Sequence, residues 1–462
     1  MDFYTIMPKE SFLKTTYFSM VLDITASSYP CMILGRAGSG KSTIIKTLVE
    51  ELYGQTLVTS PTAMTVLGLR TLGLNALTNH SAFGLPPTVI LPYHQFCLQS
   101  AQVDLLRNID TWILDECSMV RADVFDGIDW VLRMVRNSNE PFGGVRLILV
   151  GDLFQLPPVT TAVDGKCIRN FIPGFGPSNT NFLSSHVWPL LESKIQIFEL
   201  TGSYRQNLEG SGSFLEILDH VRLGYQTDLD KLRSRRIFQN PKGIPLLTAR
   251  KTDRDDFNLA SLNEHPGKTF ISEPKVFWYG SNEESKPLLD NCPGYIKLHL
   301  KIGMKVRFNV NSPQGDWING SEGVVVGMIL DKVPKTVAVR LDGSMFSIPV
   351  QPFEYDIYHP WFDSETKQGG TPIVAKVRQF PFEIGYATTI HKSQGQTINK
   401  AIIHLGQGAF EAGMLYVALS RVRQLEDLWF ASELSPADFK VPEQALRFYQ
   451  KMDGRIENVY PG

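Results

Sequence analysis

Short apolar runs recur through the first 200 residues, each closed by glycine or polar residues: "CMIL" at 31–34, "QTLV" at 55–58, "TWIL" at 111–114 and "LILV" at 147–150. Runs of this length without polar alternation predict strands covered on both faces, as in a parallel sheet flanked by crossover helices. The stretch "TIIKTLVEELYG" after the first run reads as the helix of a strand–turn–helix unit. The pattern returns with "IQIFEL" at 195–200, with residues 401–405, and with the apolar helix "MLYVAL" ahead of Arg421 and Arg423.

Two stretches break this rhythm. Residues 86–102, "PPTVILPYHQFCLQSAQ", combine prolines and apolar side chains in a way that suits a small protruding hairpin or loop. Within 301–350, "GMKVRFNV", "GVVVGMIL", "TVAVRLD" and "MFSIPV" are four β-rich runs separated by turn-forming segments, which predicts a small β-barrel. The final "SPADFKVPEQALRFYQKMDGRIENVYPG" reads as a packed helix and tail.

With 462 residues the chain exceeds what one hydrophobic core supports, so two to four domains are expected. No run of eighteen apolar residues occurs, and the start "MDFYTIMPKESFLKTTYF" lacks a basic region followed by an apolar core. The expectation is a chain with no membrane partner, in the cytoplasm or nucleus. Five cysteines without CxxC spacing predict reduced thiols and no zinc site. With 45 basic against 47 acidic residues the net charge is −2, so any nucleic-acid binding must come from a local groove.

Candidate chemistry begins at "GRAGSGKST", residues 35–43. Gly35, four residues, Gly40, Lys41 and Ser42 have the spacing of a phosphate-binding loop, with Gly38 and Thr43 inside the same stretch. Glycines let the loop curl so that N–H groups and the helix N-terminus face phosphates, Lys41 neutralises β/γ charge, and Ser42 ligates magnesium. In "TWILDECSMV", Asp115 follows an apolar strand and can hold the same metal, while Glu116 is placed to orient and deprotonate a water. In "LILVGDLFQLPPV", Gln155 projects from a turn at the carboxyl edge of the sheet, where α/β folds bind ligands. Its amide either contacts a ligand or caps the turn.

The distal half carries "LTGSYRQN" with Arg205, "YATTIHKSQGQTINKAIIHLG", and "MLYVALSRVRQ" with Arg421. Arginines reaching a γ-phosphate from a second domain would tie hydrolysis to closure of a cleft. Thr59, Ser60 and Thr62 in "TSPTAMT" offer hydroxyls and N–H groups suited to nucleic-acid phosphates, and Phe83 offers a ring on which a base could stack.

Order and spacing of "GRAGSGKST", "VTSPTAMTVLG", "TNHSAFGLPP", "LDECSMV", "GDLFQLPPV", "GSYRQ", "TTIHKSQGQT" and "YVALSRVR" resemble a superfamily-one helicase of the RecD, Dda and petite-integration-frequency (PIF) group. Residues 120–159, with "PFGG" ahead of the strand, resemble the PIF signature. The resemblance implies an α/β fold with two RecA-like parallel-sheet motor domains that bind and hydrolyse ATP with Mg2+ between them. Single-stranded DNA would cross their tops, with translocation 5′ to 3′ and duplex unwinding. Residues 1–200 would form the first motor domain, with a wedge at about 86–105; 201–300 and 380–462 would form the second; 301–379 would be an inserted Src-homology-three-like barrel.

Carried over by residue, Lys41 and Ser42 bind phosphate and magnesium, Asp115 and Glu116 serve metal and water, Arg205 and Arg421 act as fingers, and Gln155 senses the γ-phosphate. His80, Thr389, His391 and Lys392 match positions along the family's DNA path. The implied partners are single-stranded and forked DNA and the proteins of replication, repair or recombination, with a monomeric working form. Residues 1–54 contain no glutamine, where the group usually places one to read adenine. Rival readings are a translocase that remodels protein–DNA complexes, a nucleotide switch or kinase, and a single-strand-binding module.

Overall fold

A computed structural model describes residues 16–92, 94–201, 212–241, 243–279, 286–331 and 333–460. The apolar runs form the strands expected of them: β1 (Cys31–Gly35), β2 (Thr56–Ser60), β3 (Ala76–Thr78), β4 (Thr111–Leu114), β5 (Arg146–Gly151) and β6 (Gln196–Leu200). A second group comprises β7 (Leu246–Thr248), β8 (Ala387–Thr389), β9 (Ala401–His404) and β10 (Leu428–Phe430), and the chain ends on β11 (Ile456–Val459).

The first sheet has seven parallel strands in the order β11-β6-β1-β5-β4-β2-β3. Alternate side chains of its central strands enter two separate cores. Met32, Leu34, Leu114, Leu147 and Leu149 join the larger cluster, while Ile33, Ile113, Ile148 and Val150 meet Ile44, Ile45 and Leu48 of the helix Lys41–Glu51. Each such side chain contributes on the order of 1.5–3 kcal/mol by leaving water, which fixes both the strand register and the helix that starts at Lys41.

The second sheet has four parallel strands in the order β8-β7-β9-β10. Two parallel sheets in one chain agree with the two-motor architecture expected above. Between β7 and β8 of this second sheet lies an antiparallel region, and its strands run past the expected 301–379 boundaries on both sides. A five-stranded sheet runs Ser347–Val350, Val333–Leu341, Glu322–Asp331, Lys305–Phe308, Phe382–Ile384, and a three-stranded one pairs Phe353–Tyr358, Ile373–Gln379 and Lys275–Trp278. The four β-rich runs are strands, and one strand from outside them, Phe382–Ile384, pairs with Lys305–Phe308 at one edge. β11 is the second correction. It pairs with β6, so the chain's end returns to the first sheet instead of completing the second.

The proline-rich insert forms no hairpin among its described residues. Val89, Ile90 and Leu91 are buried, the Ile90 N–H donates to Asp123 Oδ2 at 2.8 Å, and the loop runs on irregularly to the helix Ser100–Asn108. Tyr93 lies outside the described residues. The antiparallel region reaches this loop through the strand Trp361–Phe362: Phe362 shares a buried cluster with Val89 and Leu91, and its carbonyl accepts from Asn170 Nδ2 at 2.7 Å.

Candidate active site

The loop after β1 is shaped by glycine. Gly38 (φ 82°) and Gly40 (φ 91°) are left-handed, a conformation that a Cβ makes costly. A Cβ on Gly35 would lie 2.5 Å from Ser39 Oγ and 2.9 Å from Leu200 Cβ, so this position also needs a bare backbone. Lys41 Nζ donates to the carbonyls of Gly35 at 2.7 Å and Arg36 at 2.9 Å, folding the ammonium back over the loop. Ser42 and Thr43 follow on the first helical turn, partly exposed.

Asp115 and Glu116 leave the adjoining β4 at the same sheet edge. The Asp115 N–H continues the pairing by donating to Thr59 O at 2.9 Å, and the Glu116 N–H donates to Asp115 Oδ1 at 2.9 Å. Glu116 itself is left-handed (φ 50°, ψ 45°), a strained conformation for a residue with a side chain. Gly151 permits it to sit so close: a Cβ there would be 2.8 Å from Cys117 Sγ. Both carboxylates are buried. Burial raises the pKa of Asp115, helped by the Glu116 charge and opposed by Lys41. Burial likewise raises Glu116, opposed by Lys41 and Arg421. Glu116 Oε2 has no hydrogen-bond partner among the described residues. A buried carboxylate and a loop hydroxyl are oxygen donors of the kind a hard divalent cation takes, and Asp115 and Ser42 are the residues that would hold it.

The second sheet closes on this edge. Gln155 Oε1 accepts from Gln394 Nε2 at 3.0 Å, and both side chains are buried. Gly395 (φ 77°) brings the following turn against Thr65 and Glu116. Arg421 is buried, with Nε donating to Val417 O at 2.8 Å and Nη1 to the carbonyls of Ser393 (3.1 Å) and Gln396 (3.0 Å). Asp152, at the end of β5, accepts from Arg222 Nε at 3.2 Å and from the Tyr416 hydroxyl at 2.7 Å. Gln394, Asp152, Arg222 and Tyr416 were not legible as site residues in the sequence. Tyr416 carried the only available signal, a hydroxyl inside an otherwise apolar helix, which must find a buried partner.

A PIF1-like helicase family model matches residues 15–231. The ATP-dependent DNA helicase Pif1 of Bdellovibrio bacteriovorus is 30% identical over 458 residues, covering 97% of this chain and 94% of that protein. The chain belongs to the PIF1-like helicase family. A Bacteroides Pif1 helicase solved with ADP-AlF3 and single-stranded DNA superposes over 98% of this chain and 99% of that one, at a TM-score of 0.75 and 29% identity. Pif1 helicases solved in a study of unwinding at forked duplex DNA match over 97% of this chain and 98% of theirs, at a TM-score of 0.77 and 28% identity.

In this PIF1-like chain the residues expected along DNA divide into two groups. Thr59, Ser60 and Phe83 are fully buried, which corrects the expectation for their side chains. Thr59 Oγ1 accepts from Trp112 Nε1 at 2.8 Å, Ser60 Oγ bonds Thr65 Oγ1 at 2.5 Å, and Phe83 packs edge-on against Trp112 at 5.1 Å. A hydroxyl at a strand end looks available in sequence, yet here the tryptophan of the neighbouring strand claims it. Thr62 and Thr389 cap helices, accepting from the N–H groups of Thr65 and Lys392. His80 is half-buried, and its pKa is lowered chiefly by burial. His391 Nε2 lies 2.6 Å from Glu411 Oε2, and Lys392 Nζ lies 2.7 Å from Glu383 Oε1. Arg205 lies outside the described residues.

Proposed function

We propose that the chain is an ATP-driven DNA helicase that moves 5′ to 3′ along a single strand and unwinds the duplex ahead of it. The observation that carries this reading is the shared cleft: Lys41, Asp115 and Glu116 from the first sheet, and Arg421 from the second segment, converge on one edge. Gln155 and Gln394 join the two sides by a hydrogen bond across the cleft.

In this reading Lys41 exchanges the Gly35 and Arg36 carbonyls for β/γ-phosphate oxygens, while Gly38, Gly40, Ser42 and Thr43 present N–H groups to the same phosphates. Magnesium, held by Ser42 and Asp115, would supply charge neutralisation on the phosphates. Glu116 takes the proton of the attacking water, and its raised pKa suits that role. Arg421 stabilises charge developing on the transferred phosphoryl group, with Arg205 as a second finger. Gln155 registers the γ-phosphate and passes that state through Gln394 to the loop bearing His391 and Lys392. Those two residues, with Thr62, Thr389 and His80, would contact the DNA backbone. Because one chain holds both halves of the cleft, a monomer suffices as the motor.

The exposed part of the insert serves as the wedge, and the antiparallel region as the barrel that braces it through Phe362. One observation favours a second reading, a translocase that remodels protein–DNA complexes without productive unwinding. The insert is a loop held down at Val89, Ile90 and Leu91, with no projecting hairpin among its described residues. Unwinding of tailed duplexes with ATP and Mg2+ separates the two: strand separation supports the helicase, and DNA-stimulated hydrolysis without separation supports the translocase.

A further inference from the structure

Tyr416 stands in the helix Met414–Leu419, whose six residues are all buried. Its hydroxyl leaves this apolar setting to make two bonds across the cleft. It accepts from the Ala37 N–H of the phosphate loop at 2.9 Å and donates to Asp152 Oδ2 at 2.7 Å. Burial raises the tyrosine pKa well above its ordinary value, and the Asp152 charge raises it further, so the proton stays on the hydroxyl. Asp152 is in turn fixed by the Phe154 N–H at 3.1 Å and by Arg222 Nε at 3.2 Å. The guanidinium of Arg222 also reaches Glu199 and lies over the Phe154 ring at 4.3 Å.

The start of the same helix has no slack either. Gly413 is left-handed (φ 78°), and a Cβ on it would sit 2.7 Å from the Phe154 carbonyl oxygen. Five residues after Tyr416 comes Arg421, whose Nε is tied back to Val417 O of that helix. One hydroxyl therefore links the phosphate loop, the end of β5 and the helix that delivers the arginine.

We propose that Tyr416 is a positioning residue that holds the Arg421-bearing helix in register with the phosphate loop through the paired Ala37 and Asp152 bonds. This rests on the reading of Arg421 as a finger in nucleotide hydrolysis. A group that acts only by placing another should affect the transition state more than nucleotide binding, and should contribute nothing once the group it places is gone.

The test is steady-state hydrolysis of ATP on single-stranded DNA by the full chain and three variants: Tyr416→Phe, Arg421→Ala and the double variant. Tyr416→Phe keeps the buried ring and removes only the hydroxyl. The expected result is a kcat lower by about tenfold with KM within about threefold, and a double variant no slower than Arg421→Ala. Unchanged kcat in Tyr416→Phe beside a slow Arg421→Ala overturns the proposal, and a lowered melting temperature alone would leave the bonds as a structural tie. Fully additive losses in the double variant overturn it as well. Normal turnover in Arg421→Ala removes the finger reading itself, and the proposal with it.

Discussion

Gln155 and Gln394 hydrogen-bond across the cleft, Oε1 of the first accepting from Nε2 of the second at 3.0 Å, with both side chains buried. Gln155 ends a turn after β5, and Gln394 follows the short helix Ile390–Ser393 in the second segment. A buried amide pair is worth little net energy but is costly to break on one side, so the two turns are expected to move together. Gln155 also lines a cavity of about 270 Å³ with Ser118, Pro157, Phe410 and Glu411.

Gln155→Ala is expected to leave single-stranded DNA binding in place and to lower DNA-stimulated hydrolysis about tenfold. Gln394→Ala should reproduce the effect, and the double variant should be no worse than either. Titrating hydrolysis against DNA concentration checks this, and normal stimulation in both single variants would return Gln155 to a turn-capping role.

Lys41→Ala removes the cation proposed to face the β/γ-phosphates, so DNA-stimulated hydrolysis should fall to background. Appreciable turnover by the purified variant would mean that the phosphates lie elsewhere.

Glu116→Gln should keep nucleotide binding and lower kcat by about 10² or more, because the shape remains and the base is lost. The same variant carries a stability prediction. Burial raises the pKa of Glu116, so above the ordinary carboxylate range the folded chain binds more protons than the unfolded chain, and stability falls as pH rises. Removing the carboxyl should therefore raise the melting temperature at neutral pH, with the gain shrinking as pH falls toward the ordinary carboxylate range. Calorimetry of both proteins at neutral and mildly acidic pH reads it, and a gain that grows on acidification would contradict the assignment.

The insert should be tested beyond its buried segment. Replacing residues 92–97 with a glycine-serine linker spares Val89, Ile90 and Leu91 and should change single-strand-stimulated hydrolysis by less than about twofold. Each base-pair step costs ~1.4 kcal/mol to open, so a motor without its wedge should unwind at least tenfold more slowly. Retained unwinding would remove the wedge role.

The parts of the site legible in sequence are those that local chemistry dictates. Gly38 and Gly40 appear as glycines because the loop needs left-handed backbone, and Asp115 and Glu116 stand out because charge follows a buried strand. What the sequence concealed depends on pairing between distant segments. Nothing near Ile456 announces that β11 joins β6, and the partners of Tyr416 lie 379 and 264 residues away. Thr59 and Phe83 were misjudged for the same reason, since Trp112 claims both from the adjoining strand region.

The proposed motor opens duplex DNA from a 5′ single-stranded tail. Its most direct test offers the purified chain two matched duplexes, one with a 5′ tail and one with a 3′ tail, with ATP and Mg2+, and follows strand separation. Separation of the 5′-tailed duplex, dependent on Lys41, and none of the 3′-tailed one is expected. Separation of the 3′-tailed duplex alone, or of neither while DNA-stimulated hydrolysis proceeds, would contradict it.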